Sequence, residues 1–366
     1  MALQCGIVGL PNVGKSTIFN ALTQSRVPAE NYPFCTIEPH VGLVNLPDIR
    51  LQKLGELYKP SKVIPATVEF IDIAGLVKGA SQGEGLGNQF LGQIRQTSAI
   101  IHVIRCFENE EITHVNGKIN PLLDADIIEM ELLLADIATL ENRKERLRKS
   151  IKKGDKKNTQ LLNLIDYLIE ECSNGNPSRM IKIDNDLIDL KNSLNLLTNK
   201  PILFIANVDE AELMNANHSD IVQSVLKHAS KQNNKAIILC GTIEEEIASL
   251  QEKEKPMFLK EYNLTEPGLN KVIRSSFNLL ELSNFFTCGE KEVRSWTVKK
   301  GATAPNGAGI IHSDFERGFI KADVFHYNDI INYGSEKKLK ELGLIRQEGK
   351  EYLIQDGDCI FFKFNI

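Results

Sequence analysis

Cysteine is sparse, tryptophan nearly absent, and positive charge is not in surplus. Seven cysteines lie scattered through 366 residues, at positions 5, 35, 106, 172, 240, 288 and 359, and no two stand in a C-x-x-C spacing. An odd and dispersed set argues against a disulfide framework and a cysteine-ligated zinc site, and fits reduced thiols in a cytoplasmic setting. The net charge of −5 argues against a protein that coats nucleic acid along its whole length. Contact with DNA is not expected, and contact with RNA must come from a local patch. No run approaches the roughly 20 apolar residues of a membrane span. Residues Met1–Cys5 enter a strand pattern directly, so neither a membrane partner nor a secretory leader is expected.

What is present is the balance of an ordinary globular protein, 42% hydrophobic and 25% charged residues. The length fits two or three domains at roughly 100–200 residues each. Short apolar runs at Leu3–Val8, Val68–Ile71, Ile100–Cys106, Ile202–Ala206 and Ala236–Cys240 read as buried parallel strands. Helical patterns separate several of them, which predicts an α/β fold. From about 124 to 198 the rhythm changes. Ile127, Ile128, Leu132, Leu134, Ile137, Ala138 and Leu140 recur at helical spacing, with further stripes over Leu161–Ile169 and Leu187–Leu197. Gly154 and Gly175-Asn176-Pro177 interrupt them. A helical hairpin inserted in the α/β domain is expected, and its segment 143–157 carries nine basic residues. From about 284 to 366, strand-like runs at Trp296–Val298, Phe319–Val324 and Cys359–Phe364 point to a small β-rich domain. Its charge is balanced, twelve basic residues against twelve acidic.

Gly9-Leu10-Pro11-Asn12-Val13-Gly14-Lys15-Ser16 matches G-x-x-x-x-G-K-[ST], between a strand and a helical pattern at Thr17–Thr23. Glycine lets the backbone wrap closely, so that N–H groups from Asn12 onward and the helix dipole face phosphate oxygens. Lys15 supplies a point charge to the β- and γ-phosphates, Ser16 a hydroxyl to Mg²⁺, and Thr17 a further phosphate contact. Asp72-Ile73-Ala74-Gly75 follows the Val68–Ile71 strand. Asp72 is placed to hold Mg²⁺, and the Gly75 N–H to meet the γ-phosphate. In the intervening loop, Asn31–Pro39, Thr36 is the candidate for the remaining Mg²⁺ hydroxyl.

The base-reading position lacks what guanine needs. After the Ile202–Ala206 strand stands Asn207-Val208-Asp209-Glu210, where a guanine reader carries Asn-Lys-x-Asp. A lost bidentate pair removes about 1–3 kcal/mol of discrimination. Asn207, Val208 and Glu210 are expected at the base: Asn207 can still bond a purine edge or tie the loop, and a backbone group at Val208 can meet the 6-amino group of adenine. Cys240-Gly241-Thr242 is expected to close the base pocket. ATP is therefore the expected substrate, with Mg²⁺ as cofactor. A glutamine that orients the attacking water is also missing, since Leu76 follows Gly75. His114, in the polar loop Glu108–Asn116, is the candidate to replace it.

These residues closely resemble the YchF proteins, the Obg-like P-loop ATPases. The carrying stretches are Gly9–Ser16, Asn31–Pro39, 72–80, Gly83–Gln89, Arg105–Glu108 and Phe315–Ala322, and the likeness spans essentially the whole chain. It implies a GTPase-type (OBG-type) domain over 1–283, with a coiled-coil hairpin at about 124–198. It also implies a C-terminal TGS domain over 284–366, a small β-grasp fold linked to RNA and ribosome binding. The function so implied is an ATP-hydrolysing regulatory switch in translation or stress response, with the ribosome or its RNA as partner. A GTP-dependent ribosomal GTPase, or an adaptor whose shape nucleotide sets without turnover, is the alternative.

Overall fold

The computed structural model describes residues 4–24, 40–73, 86–108, 119–150, 155–215 and 219–365. Strands within them run β1 (Gln4–Val8), β2 (Val41–Asn45), β3 (Lys62–Ile64), β4 (Thr67–Asp72), β5 (Ala99–Arg105), β6 (Ile202–Asn207), β7 (Lys235–Leu239), β8 (Leu282–Cys288), β9 (Glu292–Lys299), β10 (Phe319–His326), β11 (Arg346–Glu348) and β12 (Asp358–Phe364). Two compact units result: Met1–Gly42 with Glu69–Val272, and Leu43–Val68 with Ile273–Ile366.

One six-stranded sheet, most of it in the first unit, has the order β2-β4-β1-β5-β6-β7. β1 runs parallel to β4 and β5, β5 to β6, and β6 to β7. Every residue of β5 and β6 is buried, which is why these strands read as unbroken apolar runs rather than alternating ones. Arg105 at the end of β5, Asn207 at the end of β6 and His102 within β5 are the polar exceptions. His102 lies mid-strand. Its ring lies 5.4 Å from that of Phe204, and burial pushes its pKa down to about 3, so it sits in the core as neutral imidazole.

The expected hairpin is present as helices Pro121–Ser150 and Lys156–Ser173. Leu133, Leu140 and Leu147, seven residues apart, pack with Leu161, Ile165, Leu168 and Cys172 in one buried seam. Asp155 caps the second helix by accepting from the Asn158 N–H at 3.1 Å. At the hairpin's base Asp136 is fully buried. It accepts from the N–H of Leu197 at 2.7 Å, the N–H of Thr198 at 2.8 Å and the Thr198 hydroxyl at 2.7 Å. The stripe expected over Leu187–Leu197 is not one helix. It breaks into a short helix, Ile188–Ser193, and a 3₁₀ turn, Leu197–Asn199, because Asn195 takes a left-handed φ of 49°.

The second unit has the order β11-β10-β12-β8-β9-β3. β8 and β9 form an antiparallel hairpin, β12 joins β8 in parallel, and β10 joins β12 antiparallel. Helix Ala304–Ile311 lies on one face, where Ala304 and Ala308 meet Phe285, Val298, Val324 and Phe362. A β-hairpin, a helix and a central strand parallel to the first are the β-grasp arrangement. The sequence reading begins this domain at 284, which falls inside β8. β8 follows helix Gly268–Leu279 with no glycine or proline between; Glu281, at φ 53°, makes the reversal instead. β3, from far upstream, adds to the sheet's edge beside β9. No helix among the described residues is long and apolar enough to cross a membrane.

Candidate nucleotide site

The carboxyl end of β1 leads into the glycine-rich loop. A Cβ on Gly9 would stand 2.6 Å from the Val103 carbonyl oxygen, so only glycine lets the loop leave the sheet against β5. Asn12 at φ 61° and Gly14 at φ 93° turn the chain so that helix Lys15–Gln24 begins at once, with the Ile18 N–H on Gly14 O. Lys15 is 8% exposed, and its Nζ donates to Leu10 O at 2.8 Å within the curl of the loop. Burial lowers its pKa, and the Asp72 carboxylate opposes that shift.

Ser16 Oγ donates to Asp72 Oδ2 at 3.3 Å, across 56 residues of sequence. Asp72 ends β4 and has its pKa raised by burial, against the pull of Lys15, Ser16 and His40. Its other oxygen, Oδ1, is buried and has no hydrogen-bond partner among the described residues. A hydroxyl beside a carboxylate with an orphaned oxygen suits a hard cation that takes oxygen ligands. Ser16 and Asp72 thus fit Mg²⁺.

The base-reading end is tied to the phosphate loop by one side chain. Asn207, last residue of β6 and 4% exposed, donates from Nδ2 to Val13 O at 2.9 Å and accepts at Oδ1 from the Gly241 N–H at 2.9 Å. Of the two roles the sequence leaves open for Asn207, the loop tie is the one seen. Gly14 is needed here too, since a Cβ on it would lie 2.2 Å from Asn207 Nδ2. Val208 is buried and its N–H is committed to Leu239 O at 3.0 Å. Its carbonyl is therefore the backbone group that can accept from an amino group.

A cleft of about 510 Å³ gathers Asn12, Gly14, Lys15, Ser16, Thr17, Asn207, Val208 and Gly241, eight residues drawn from three loops. Val13, Glu210 and Cys240 do not line it. Val13 serves through its carbonyl. Glu210 is exposed and accepts from the Tyr262 hydroxyl at 3.1 Å, outside the cleft. Cys240 is buried with its sulfur 3.1 Å from the Thr242 hydroxyl. Asp72 meets the cleft through Ser16. Thr36, Gly75, Leu76 and His114 lie outside the described residues.

Phe107, Glu108 and Asp209 also line the cleft, and motif reasoning assigns them no role. Phe107 follows β5, with the Arg105 guanidinium 4.7 Å from its ring centre and Arg105 Nε donating to its carbonyl at 3.1 Å. The signal was there: an aromatic residue at the carboxyl end of a central strand, where ligands of such sheets sit. Asp209 caps the next helix through the Glu212 N–H at 2.8 Å.

Asn207→Ala removes both ties between the loops, and a buried amide pair of this kind contributes about 1–3 kcal/mol. The variant is expected to lower the melting temperature by several degrees and to weaken nucleotide binding about tenfold or more. Thermal unfolding and a nucleotide titration check both effects; unchanged values in each would mean that Asn207 holds nothing together.

A phosphate loop between strand and helix, a serine–aspartate pair for a cation and a base loop at the next strand ends define a P-loop nucleotide-binding protein of the GTPase fold. Comparison with known proteins agrees. Residues 4–134 match the family described as "50S ribosome-binding GTPase", and residues 282–365 match YchF-GTPase_C, described as "Protein of unknown function (DUF933)". The chain is 50% identical to the Bacillus subtilis protein named "Ribosome-binding ATPase YchF" and 48% identical to that of Escherichia coli O157:H7, in both cases over the full length of each chain. The solved structure of the Schizosaccharomyces pombe YchF GTPase covers 99% of this chain and 97% of its own, with a TM-score of 0.90 at 38% identity. The chain belongs to the YchF family.

Proposed function

We propose that this protein is a ribosome-associated ATPase that binds and hydrolyses ATP in preference to GTP and works as a nucleotide-dependent switch in translation or stress response. One observation carries the choice of base. The Asn207 amide is committed to Val13 and Gly241, Val208 offers only its carbonyl, and Glu210 is engaged by Tyr262 outside the cleft. Guanine would find the carboxylate at the fourth position of the motif, that of Glu210, turned to Tyr262 outside the cleft rather than toward its N1–H and 2-amino groups. Adenine presents an amino donor to a backbone acceptor.

In this reading the loop amides and Lys15 take the phosphates, with Lys15 Nζ leaving Leu10 O to do so. Ser16, Asp72 and Thr36 hold Mg²⁺, which when bound neutralises phosphate charge and orients the γ-phosphate. The Gly75 N–H meets the γ-phosphate, and His114 orients the attacking water where Leu76 cannot. The fall of Lys15's pKa through burial does not empty it of charge in the presence of polyanionic phosphates, which favour the ammonium.

The names of the full-length relatives support a ribosomal partner. The hairpin is the expected contact, with the TGS domain at 284–366 as the second. Arg143, Arg146, Arg148 and Lys149 are exposed around the buried Leu147 on the hairpin's first helix. Arg146→Glu with Arg148→Glu is expected to weaken pelleting with ribosomes and to flatten its salt dependence, while ATP hydrolysis by the free protein stays within about twofold of wild type. Pelleting of the wild-type protein with purified ribosomes, with and without ATP and Mg²⁺, tests the proposal itself. Association that depends on nucleotide, together with phosphate release from ATP, is the expected outcome. Absence of both would refute it.

A further inference from the structure

The stretch Arg105–Glu108 belongs to the sequence pattern but to no step of the chemistry above. Arg105 closes β5. At 1% exposure it is the largest of the fully buried side chains among the described residues. A guanidinium does not shed its charge, so burying one is costly unless the charge and the donors are met. Its Nε donates to Phe107 O at 3.1 Å, two residues further on. Burial lowers its pKa, and the carboxylate of Asp124 opposes that shift. Asp124 is itself 2% exposed and stands in the first turn of helix Pro121–Ser150.

A charge buried near a counter-charge adds little net stability, since apolar side chains of like volume often hold a core as well. What Arg105 supplies is geometry. Its guanidinium lies 4.7 Å from the centre of the Phe107 ring, while its Nε holds the carbonyl of that same residue. One planar group thereby fixes both the backbone and the ring of Phe107. Cys106, between the two, donates its N–H to Asn207 O at 2.8 Å, and Arg105 is the register partner of Asn207 across β5 and β6. The ring is thus set beside the strand end whose amide ties the base loop to the phosphate loop. It is half-buried and lines the same cleft as Asn207, Val208 and Gly241. Arg105 does not line that cleft, so it reaches a nucleotide only through Phe107.

We infer that Arg105 is a positioning residue for the nucleotide: it holds the Phe107 ring as a flat wall for the base, and Asp124 anchors that wall to the first turn of the hairpin's first helix. The inference rests on the ATPase reading, because it takes ATP as the occupant of the cleft. It makes the part of the affinity that comes from the base, and not the part that comes from the phosphates, depend on a side chain outside the cleft. An aromatic wall is tolerant of base identity, since every base has a π-face. Arg105 therefore strengthens ATP and GTP alike, and the choice between them stays with the base loop.

The test titrates the full chain, with Mg²⁺, against ATP, GTP and tripolyphosphate, which has no base. Arg105→Met is expected to weaken ATP and GTP each about tenfold and tripolyphosphate less than about twofold. On a Phe107→Ala background the same substitution should change nothing further, because the wall it holds is gone. In steady state it should raise KM for ATP about tenfold and leave kcat within about twofold, as loss of uniform binding does. Arg105→Met removes the cation near Asp124. Should that variant not fold, Arg105→Lys keeps a cation there without the planar fork, and the same split is expected of it. Equal weakening of ATP and tripolyphosphate, a fall in kcat at unchanged KM, additive effects with Phe107→Ala, or unchanged affinity would overturn the inference. Failure of the wild-type chain to bind ATP would strike the ATPase reading instead; a wild type that binds ATP beside variants that bind it equally well strikes the role of Arg105 alone.

Discussion

Lys15→Ala is expected to abolish ATP turnover and leave the fold standing. Lys15 is 8% exposed, and the bond shown for its amine is to a carbonyl of its own loop, Leu10 O. Burial lowers its pKa, which marks the ammonium as a desolvated charge that the fold carries rather than gains from. Removing it costs stability little, and the melting temperature should stay within a few degrees of wild type. The loss falls on the nucleotide. Each charge-assisted hydrogen bond to a phosphate is worth about 1.5–3 kcal/mol, so loss of the contacts to two phosphates is expected to lower kcat/KM by about 10²-fold or more. Phosphate release at a series of ATP concentrations, beside a thermal scan, measures both. Wild-type hydrolysis by a folded variant would remove Lys15 from the site.

His114→Ala is expected to lower kcat about 10²–10⁴-fold with little change in ATP affinity, the usual effect of losing a group that positions a proton or a water. The reason begins with an absence. Leu76 stands where many proteins of this fold carry the glutamine that orients water, so another group must do so. His114 lies outside the described residues; seven and six residues before it in the sequence, Phe107 and Glu108 form part of the cleft's lining. A group acting only in the transition state changes kcat and spares ground-state binding. Single-turnover hydrolysis and an ATP titration separate the two. Unchanged turnover would pass the water to backbone groups of the glycine-rich segment 79–87 or to a partner acting in trans.

The phosphate end of the site was legible because its chemistry is local. Gly9–Ser16 holds the loop, the lysine and the hydroxyl in eight consecutive residues, and the flanking strand and helix follow from their apolar spacing. The central strands were legible for the opposite reason: β5 and β6 are buried on both faces and show as unbroken apolar runs. Asn207 was half legible. Its place after β6 marked it, but that its amide bridges Val13 and Gly241 depends on a contact across 194 residues that no spacing encodes. Glu210 and Cys240 were read as pocket residues from proximity in sequence. In space the first turns to Tyr262 and the second into the core. The placing of β3 in the C-terminal sheet was beyond reach as well. β3 is three residues long and only its partner β9 gives it an identity.

The related proteins carry two descriptions, ATPase for the curated relatives and GTPase for the solved structure, and the function proposed here follows the first. One calorimetric titration of the wild-type protein with ATP and with GTP, each with Mg²⁺, tests that choice directly. Val208 and Glu210 stand where a guanine reader has lysine and aspartate, so ATP is expected to bind about tenfold or more tightly than GTP. A clear preference for GTP would contradict the account, because it would require a guanine-binding carboxylate that the cleft does not place at the fourth position of its base loop.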